Sequence, residues 1–467
     1  MKKYTVFNFL TIAAFLLLMS LAPCCKKLIA VPTPASQTDN TKAFSNDSIA
    51  TDVMLGVYGS IMNSPRALLN GGSSIFGGLS ADELFRTVPS ADEDAFFQYA
   101  LTSVNTLCSS LYTTAYNWLY DCNNLLENLA QKNGVTDSTQ KQLTGEAKFL
   151  RALIYFHLVN DFGEVPLILG TDYQSNSLAA RSASDLVYEQ IIADLTAAQN
   201  LLSPAYAGTN PLYAEARTRP NQAAASALLA RVFLYRGRWT EAETAASTVI
   251  NNTDYVLERD LNSVFLADSR ETIWQLQPIR NNAYTTEGSF FIPAGGIGAR
   301  PTYALQNWLL DAFEPSDLRK SHWVGTSTTG NKYSYPYKYK AANASVPNPE
   351  YNIVLRLAEQ YLIRAEARAW LGDNTGAMAD LNVIRSRAGL AAAPLASGTT
   401  LLNTIWHERQ VELFAEWGHR WLDLKRTGQA DSVLHAEKSG WTTPAALYPL
   451  PFTELTRDPN LTQNAGY

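Results

Sequence analysis

Histidine and cysteine are scarce in this chain, and each scarcity removes a class of chemistry. The five histidines, His157, His322, His407, His419 and His435, show no HExxH or other close ligand spacing, so no metal site is expected and no cofactor is assigned. Of the four cysteines, Cys24 and Cys25 fall at the end of an N-terminal leader, which leaves Cys108 and Cys122. These two sit on one predicted helical stretch, ~21 Å apart along its axis. A disulfide reaches only ~7 Å between α-carbons, so both read as small apolar core residues. There is no G-x-S-x-G elbow, and Gly296-Ile297-Gly298 lacks the third glycine and strand-to-helix setting of a nucleotide loop. An enzyme is not expected.

Charge is sparse as well, at 17 % of residues. Without Lys2 and Lys3 of the leader, 35 basic side chains stand against 43 acidic ones, a balance of −8. With no basic stripe, that balance excludes nucleic acid as the partner. No apolar run reaches the ~20 residues of a membrane-spanning helix. The apolar part of the leader, roughly Phe9 to Leu18, follows Met1-Lys2-Lys3 and ends in Ser20-Leu21-Ala22-Pro23-Cys24-Cys25, the layout of a secretory signal cleaved before a lipid-bearing cysteine. Cys25 is preferred as that cysteine, with Cys24 the alternative. The expected layout is a signal over 1–24, a Pro- and Ser-rich tether over 25–44, and one body over 45–467, with an N-terminal part to about 250 and a C-terminal part from about 251.

Helical periodicity is plentiful. Apolar residues recur from Ile49 to Met62 behind a cap at Asn46 or Asp47, and helices are predicted over roughly 104–131, 141–161, 184–202, 221–236, 239–250, 351–371, 375–388 and 400–417. Two pairs share a finer pattern: Gly237 precedes Ala242, Ala246 and Val249, and Gly372 precedes Ala377, Leu381 and Ile384 at the same offsets, with Ala230 and Ala365 seven residues upstream of each glycine. Small residues at a close crossing predict tetratricopeptide-like hairpins, though Arg364 and Arg368 stand where such repeats prefer apolar groups. The fold class expected is mainly α, a scaffold of helical hairpins carrying long aromatic-rich loops and a few short β pieces. The loops centre on 257–350, where Thr272–Leu276 reads as a strand and Tyr333, Tyr335, Tyr337 and Tyr339 alternate as one face of another.

Four stretches resemble the SusD/RagB family: "EAKFLRALIYFHLVNDFGEVPLIL" from Glu146 to Leu169, "LRLAEQYLIRAEARAWLG" with "LNVIRSRAGL" from Leu355 to Leu390, "ERQVELFAEWGHRWLDLKRTG" from Glu408 to Gly428, and a close through "YPLPFTEL" and "DPNLTQNAGY" to Tyr467. Trp417 interrupts the family's usual Glu-Gly-His arrangement. The resemblance implies a SusD-like fold and an outer-membrane, surface-exposed lipoprotein that binds an oligosaccharide and delivers it to a SusC-like TonB-dependent transporter. Peptide cargo with the same transporter, or an envelope scaffold without cargo, are the competing expectations.

The motifs themselves read as structural. Glu408, Glu412 and Glu416 recur every four residues, with Arg409, Arg420, Lys425 and Arg426 at hand for them and for Asp423, which suits ion pairs better than acid–base chemistry. Asp317-Leu318-Arg319 resembles a family Asp-x-Arg pair that fixes its loop. Sugar rings stack their C–H faces on aromatic side chains, so loop aromatics with polar neighbours are the candidate ligand contacts. These are Tyr284, Phe290, Phe291, Tyr303 and Trp323 with Asn281 and Asn282, and a second group of Phe96, Phe97 and Tyr99. Tyr284 and Trp323 are preferred, whereas Trp308, followed by Leu309-Leu310, is expected in the core.

Overall fold

The computed structural model describes residues 44–131, 134–208, 217–279, 284–296, 298–342 and 349–467. The leader, the tether to residue 43 with Cys24 and Cys25, and Asn281 with Asn282 lie outside them.

Asn46 accepts a hydrogen bond from the Ile49 N–H at 3.0 Å and starts α1 (Asp47–Met62), whose inner face buries Ala50, Met54, Val57, Ile61 and Met62. After a short α2 (Ser73–Ser80), the two longest helices, α3 (Thr106–Leu129) and α4 (Asp137–Phe162), follow. Cys108 and Cys122 are both on α3, buried and unpaired. From Phe149 onward α4 is apolar on nearly every side because α3 and α5 (Ser184–Leu201) enclose it. Arg151 of α4 reaches Asp194 of α5 at 2.7 Å, so the one cation in this stretch is neutralised where it is buried.

The expected hairpins are present as α6 (Gln222–Tyr235) with α7 (Trp239–Ile250), and α8 (Leu357–Leu371) with α9 (Asn374–Arg387). Gly237 and Gly372 turn the chain with positive φ of 65° and 86°. Ala230, Ala242, Ala246 and Val249, and their counterparts Ala365, Ala377, Leu381 and Ile384, are all fully buried at the crossings. Arg364 and Arg368 depart from the repeat pattern because Asp380 of α9 receives both, at 2.6 and 2.9 Å, replacing an apolar contact by an ion pair.

Three helix boundaries differ from expectation by four residues or more, the first being the start of α4 at Asp137 rather than near residue 141. The stretch predicted as helix from residue 351 begins as strand β8 (Asn352–Arg356), because Ile353-Val354-Leu355 pairs antiparallel with β4 (Thr272–Leu276) and is buried on both faces. The last predicted helix stops early: α10 (Gly398–Leu413) ends before Ala415, Trp417 and Gly418, which all adopt positive φ and lead into α11 (His419–Arg426). The remaining strands, β1 (Leu84–Arg86), β2 (Val165–Pro166), β3 (Arg181–Ser182), β5 (Tyr303–Leu305), β6 (Val324–Thr326) and β7 (Ser334–Pro336), form two-stranded antiparallel ladders β1–β5, β2–β3 and β6–β7. Tyr335 and Tyr339 are buried while Tyr333 and Tyr337 are half-buried, so the four tyrosines pack the sheet margin. The larger hydrophobic core draws on residues from Phe44 to Leu450, a second cluster gathers Leu362, Ala365, Leu381, Ile384, Leu401 and Ile405 around the second hairpin, and among the described residues no helix is long and apolar enough to cross a membrane.

The three glutamates near the C-terminus do enter ion pairs, with partners from further away than the sequence suggested. Arg319 binds Asp317, Glu408 and Glu412 at 2.8, 2.6 and 3.0 Å. Arg356 binds Glu271, Glu412 and Glu416 at 3.0, 2.6 and 2.8 Å. Arg387, Arg385 and Lys338 complete the cluster. Arg409 and Arg426 instead hold Asp423, and Arg420 holds Asp82.

Beside Asp82, the Glu83 carboxyl is buried with Oε1 unpartnered. Burial, and then the Asp82 charge, push its pKa up to about 8. The folded state thus holds a proton that the unfolded state releases above its ordinary carboxylate pKa, and this stabilisation is lost as pH rises through about 8. Glu83→Gln keeps the neutral form permanently. It is expected to be more stable than the parent by about 1–3 kcal/mol at alkaline pH and near parity in mild acid, read by denaturant unfolding at the two pH values.

Candidate functional site

One flank of α1, with the helix's C-terminal end, is one wall of an open groove with two lobes. The first, about 220 Å³, is lined by Met62, Asn63 and Pro65 on one side and by Pro278, Ile279, Tyr284, Thr285, Thr286, Ser289 and Phe290 on the other. The second, about 240 Å³, continues past the shared Pro278 and Ile279 to Leu55, Tyr58, Gly59, Thr218, Arg219, Leu276 and Gln277. The lobes together make one elongated trough of the size that holds a small oligomeric ligand.

Each wall is held by local chemistry. Behind α1 the chain doubles back: Arg66 takes a left-handed φ of 68°, and its N–H donates to the Asn70 carbonyl at 2.7 Å. The buried Asn70 amide donates to the Met62 carbonyl at 3.0 Å and accepts from the Thr286 hydroxyl at 2.6 Å, tying α1 to the short helix Thr286–Phe291 across the trough. Gly71, at φ 83°, lies so close to that helix that a Cβ would stand 2.5 Å from Thr286 Cγ2. Gly71→Ala is therefore expected to lower stability by about 2 kcal/mol in a chemical denaturation series, from φ strain together with overpacking.

The short helix has two dissimilar faces. Thr285 caps it by accepting from the Gly288 N–H, and Glu287 and Phe291 point into the protein, while Ser289 and Phe290 border the groove. Glu287 accepts from Ser74 and Asn352, and burial pushes its carboxyl up to about 7. The Phe290 ring is steadied by the Arg66 guanidinium, 5.3 Å from its centroid, which is itself paired with Glu93 at 2.7 Å. In the second lobe, Arg219 grips the fully buried Glu146 through Nε and Nη2, and the Tyr58 hydroxyl donates to the same carboxylate at 2.9 Å. Arg219 is the single charged group on either wall among the described residues, and it is neutralised by Glu146. The lining offers stacking surfaces and hydrogen-bonding groups, with no carboxylate, thiol or imidazole among the described residues.

Of the candidate contacts, Tyr284 and Phe290 meet on one wall of the groove. Trp323, one of the two preferred residues, is a correction. It is 0 % exposed, its indole N–H donates to the Leu261 carbonyl at 2.9 Å, and Lys338 lies 4.8 Å from its ring, because the helix that carries it is anchored inward by Arg319. Phe291 and Tyr303 are corrected likewise: they pack edge to face at 6.1 Å, and the Tyr303 hydroxyl donates to Glu93 at 2.6 Å. Phe96 is fully buried against Phe76, and Phe97 and Tyr99, both half-buried, flank the buried Lys438 ammonium at 4.4 and 5.1 Å. Trp308 errs in the opposite direction and is 41 % exposed. The α1 side of the groove escaped sequence reading. Its signals were the exposed Leu55, the helical glycines and the Pro278-Ile279 step that follows β4, none of which resembles an aromatic ligand motif.

Comparison with known proteins agrees with this architecture. Residues 316–467 match a family model described as the SusD family, and residues 43–234 match one described as starch-binding, associating with the outer membrane. SusD-like protein P2 of Formosa agariphila is 28 % identical over 78 % of this chain and 81 % of its own length. The starch-binding protein SusD of Bacteroides thetaiotaomicron is 25 % identical over 76 % of each chain. Among solved structures, surface glycan-binding protein A from Bacteroides uniformis superposes with a TM-score of 0.78 at 23 % identity, over 90 % of this chain and 99 % of that one. With a mainly α body built on two helical hairpins, and with these matches at both ends, the chain belongs to the SusD/RagB family.

Proposed function

We propose that this protein captures an oligosaccharide at the cell surface in the groove over α1 and hands it to a SusC-like TonB-dependent transporter of the outer membrane, making and breaking no covalent bond. A lipid on Cys25, or on Cys24, would hold it at that membrane. The observation that carries the reading is the groove itself: an open trough walled by Tyr284 and Phe290, with hydrogen-bonding groups between them and almost no net charge. Such walls suit a neutral ligand with alternating apolar faces and hydroxyls. Relatives named for starch and surface-glycan binding support the cargo class.

Calorimetric titration of the mature chain against neutral oligosaccharides, acidic oligosaccharides and short peptides tests it. Saturable heat with a neutral glycan, reduced about tenfold or more by Tyr284→Ala, is the expected result. Binding of peptides alone would replace the cargo class, and glycan binding indifferent to Tyr284 would remove the groove from the account.

A further inference from the structure

The second lobe of the groove has a floor that the fold does not require. Gly59 lies inside α1 with ordinary helical φ, and a Cβ placed on it would meet nothing within 4 Å, as would one on Gly56 a turn earlier. Glycine within a helix weakens it relative to alanine. Neither a left-handed turn nor close approach by another element accounts for Gly59. What the residue provides is a strip of bare backbone along the lobe it lines.

The side chains around that strip are mostly aliphatic. Leu55 is 45 % and Ile279 50 % exposed, and both line the same lobe together with Leu276 and Pro278. The polar groups nearby are largely committed: the Tyr58 hydroxyl and Arg219 Nε and Nη2 all go to Glu146. Arg219 Nη1 stands outside that pair, and the exposed Gln277 lies at the rim. A hydroxyl pressed among Leu55 and Ile279 would lose its water partners without replacement, while a methyl group there would gain contact.

We propose that this lobe is a subsite for a 6-deoxyhexose unit of the captured glycan. Its ring lies flat on the α1 backbone at Gly59, its methyl packs between Leu55 and Ile279, and ring hydroxyls reach Arg219 Nη1 and Gln277. The proposal rests on the glycan-capture reading and specifies the sugar it selects.

The test uses the mature chain and methyl glycosides in pairs that differ only in the C6 hydroxyl: methyl α-L-fucoside against methyl α-L-galactoside, and methyl α-L-rhamnoside against methyl α-L-mannoside, titrated by saturation-transfer NMR. In at least one pair the deoxy sugar is expected to bind about tenfold more tightly. Gly59→Ala, which covers the bare strip, is expected to abolish that preference while its melting temperature stays at or above the parent's. A destabilised fold would give the opposite temperature shift. Equal or tighter binding of the hydroxylated partner, no binding of either member of both pairs, or an unaltered preference in Gly59→Ala would overturn the subsite. If oligosaccharide binding that depends on Phe290 persists through such a result, the capture reading stands without the subsite; if no saccharide binds in either lobe, both fall.

Discussion

Arg356→Met is expected to cost about 3–5 kcal/mol of unfolding free energy, the largest effect of any single substitution considered for this fold. The guanidinium is almost fully buried and neutralises Glu271, Glu412 and Glu416 at once, so its removal leaves the three buried carboxylates to only Arg387, Arg319 and Lys338, in a medium that cannot solvate the excess negative charge. The position is also topological. Glu271 precedes β4, Arg356 ends β8, and Glu412 and Glu416 straddle the end of α10, so one side chain ties three segments distant in sequence. Methionine keeps most of the apolar stem and removes only the charge.

The loss has a predictable pH dependence. Burial alone would raise the Glu412 pKa, but Arg387, Arg356 and Arg319 outweigh it and hold the carboxyl well below its ordinary range. A depressed folded-state pKa contributes stability above the unfolded value and loses it as pH falls. With Arg356 gone, Glu412 and Glu416 titrate at higher pH, so the difference between variant and parent should be greater at alkaline pH than in mild acid. Urea unfolding at both pH values measures this. A pH-independent difference would mean that the arginine acts through packing.

The second large effect is on binding. Phe290→Ala is expected to weaken glycan affinity by about 2 kcal/mol, some thirtyfold, with little change in stability. Phe290 borders the groove on a helix whose opposite face, with Glu287 and the buried Phe291, carries most of the packing, so truncating the half-buried ring removes a contact surface and leaves those two anchors in place. Arg66 also loses the ring it lies against but keeps Glu93. Calorimetry and thermal melting of the same preparation separate the two quantities. Equal losses in both would make Phe290 a structural residue.

Local patterns in the sequence were reliable where local physics decides. The Asn46 cap, the glycine turns at Gly237 and Gly372 with their buried small residues, and the isolation of Cys108 from Cys122 all follow from spacing along one helix. Failures came where distant segments compete for the same residues. Ile353-Val354-Leu355 reads as the start of a helix until β4 supplies a pairing partner, and the glutamates of α10 drew their arginines from residues 319, 356, 385 and 387 rather than from their own stretch. For the site, composition pointed to aromatics in the loop segment but could not orient them. Tyr284 and Phe290 reach the groove, whereas Phe291, the next residue, is rotated into the core by the helical turn, and Trp323 is drawn inward by a neighbour whose charges are paired there. The opposite wall, α1, showed only an amphipathic stripe, and its flank gains meaning once Pro278 and Ile279 are folded against it.

Hydrogen–deuterium exchange of the mature chain, with and without a bound oligosaccharide, tests the central claim most directly. Capture in the groove predicts slowed exchange in the C-terminal half of α1 through Arg66 and in residues 276–279 and 284–291, with the hairpins α6–α7 and α8–α9 unchanged. Protection centred on the hairpins, or on the Phe97–Tyr99 segment, with none along α1 would contradict it.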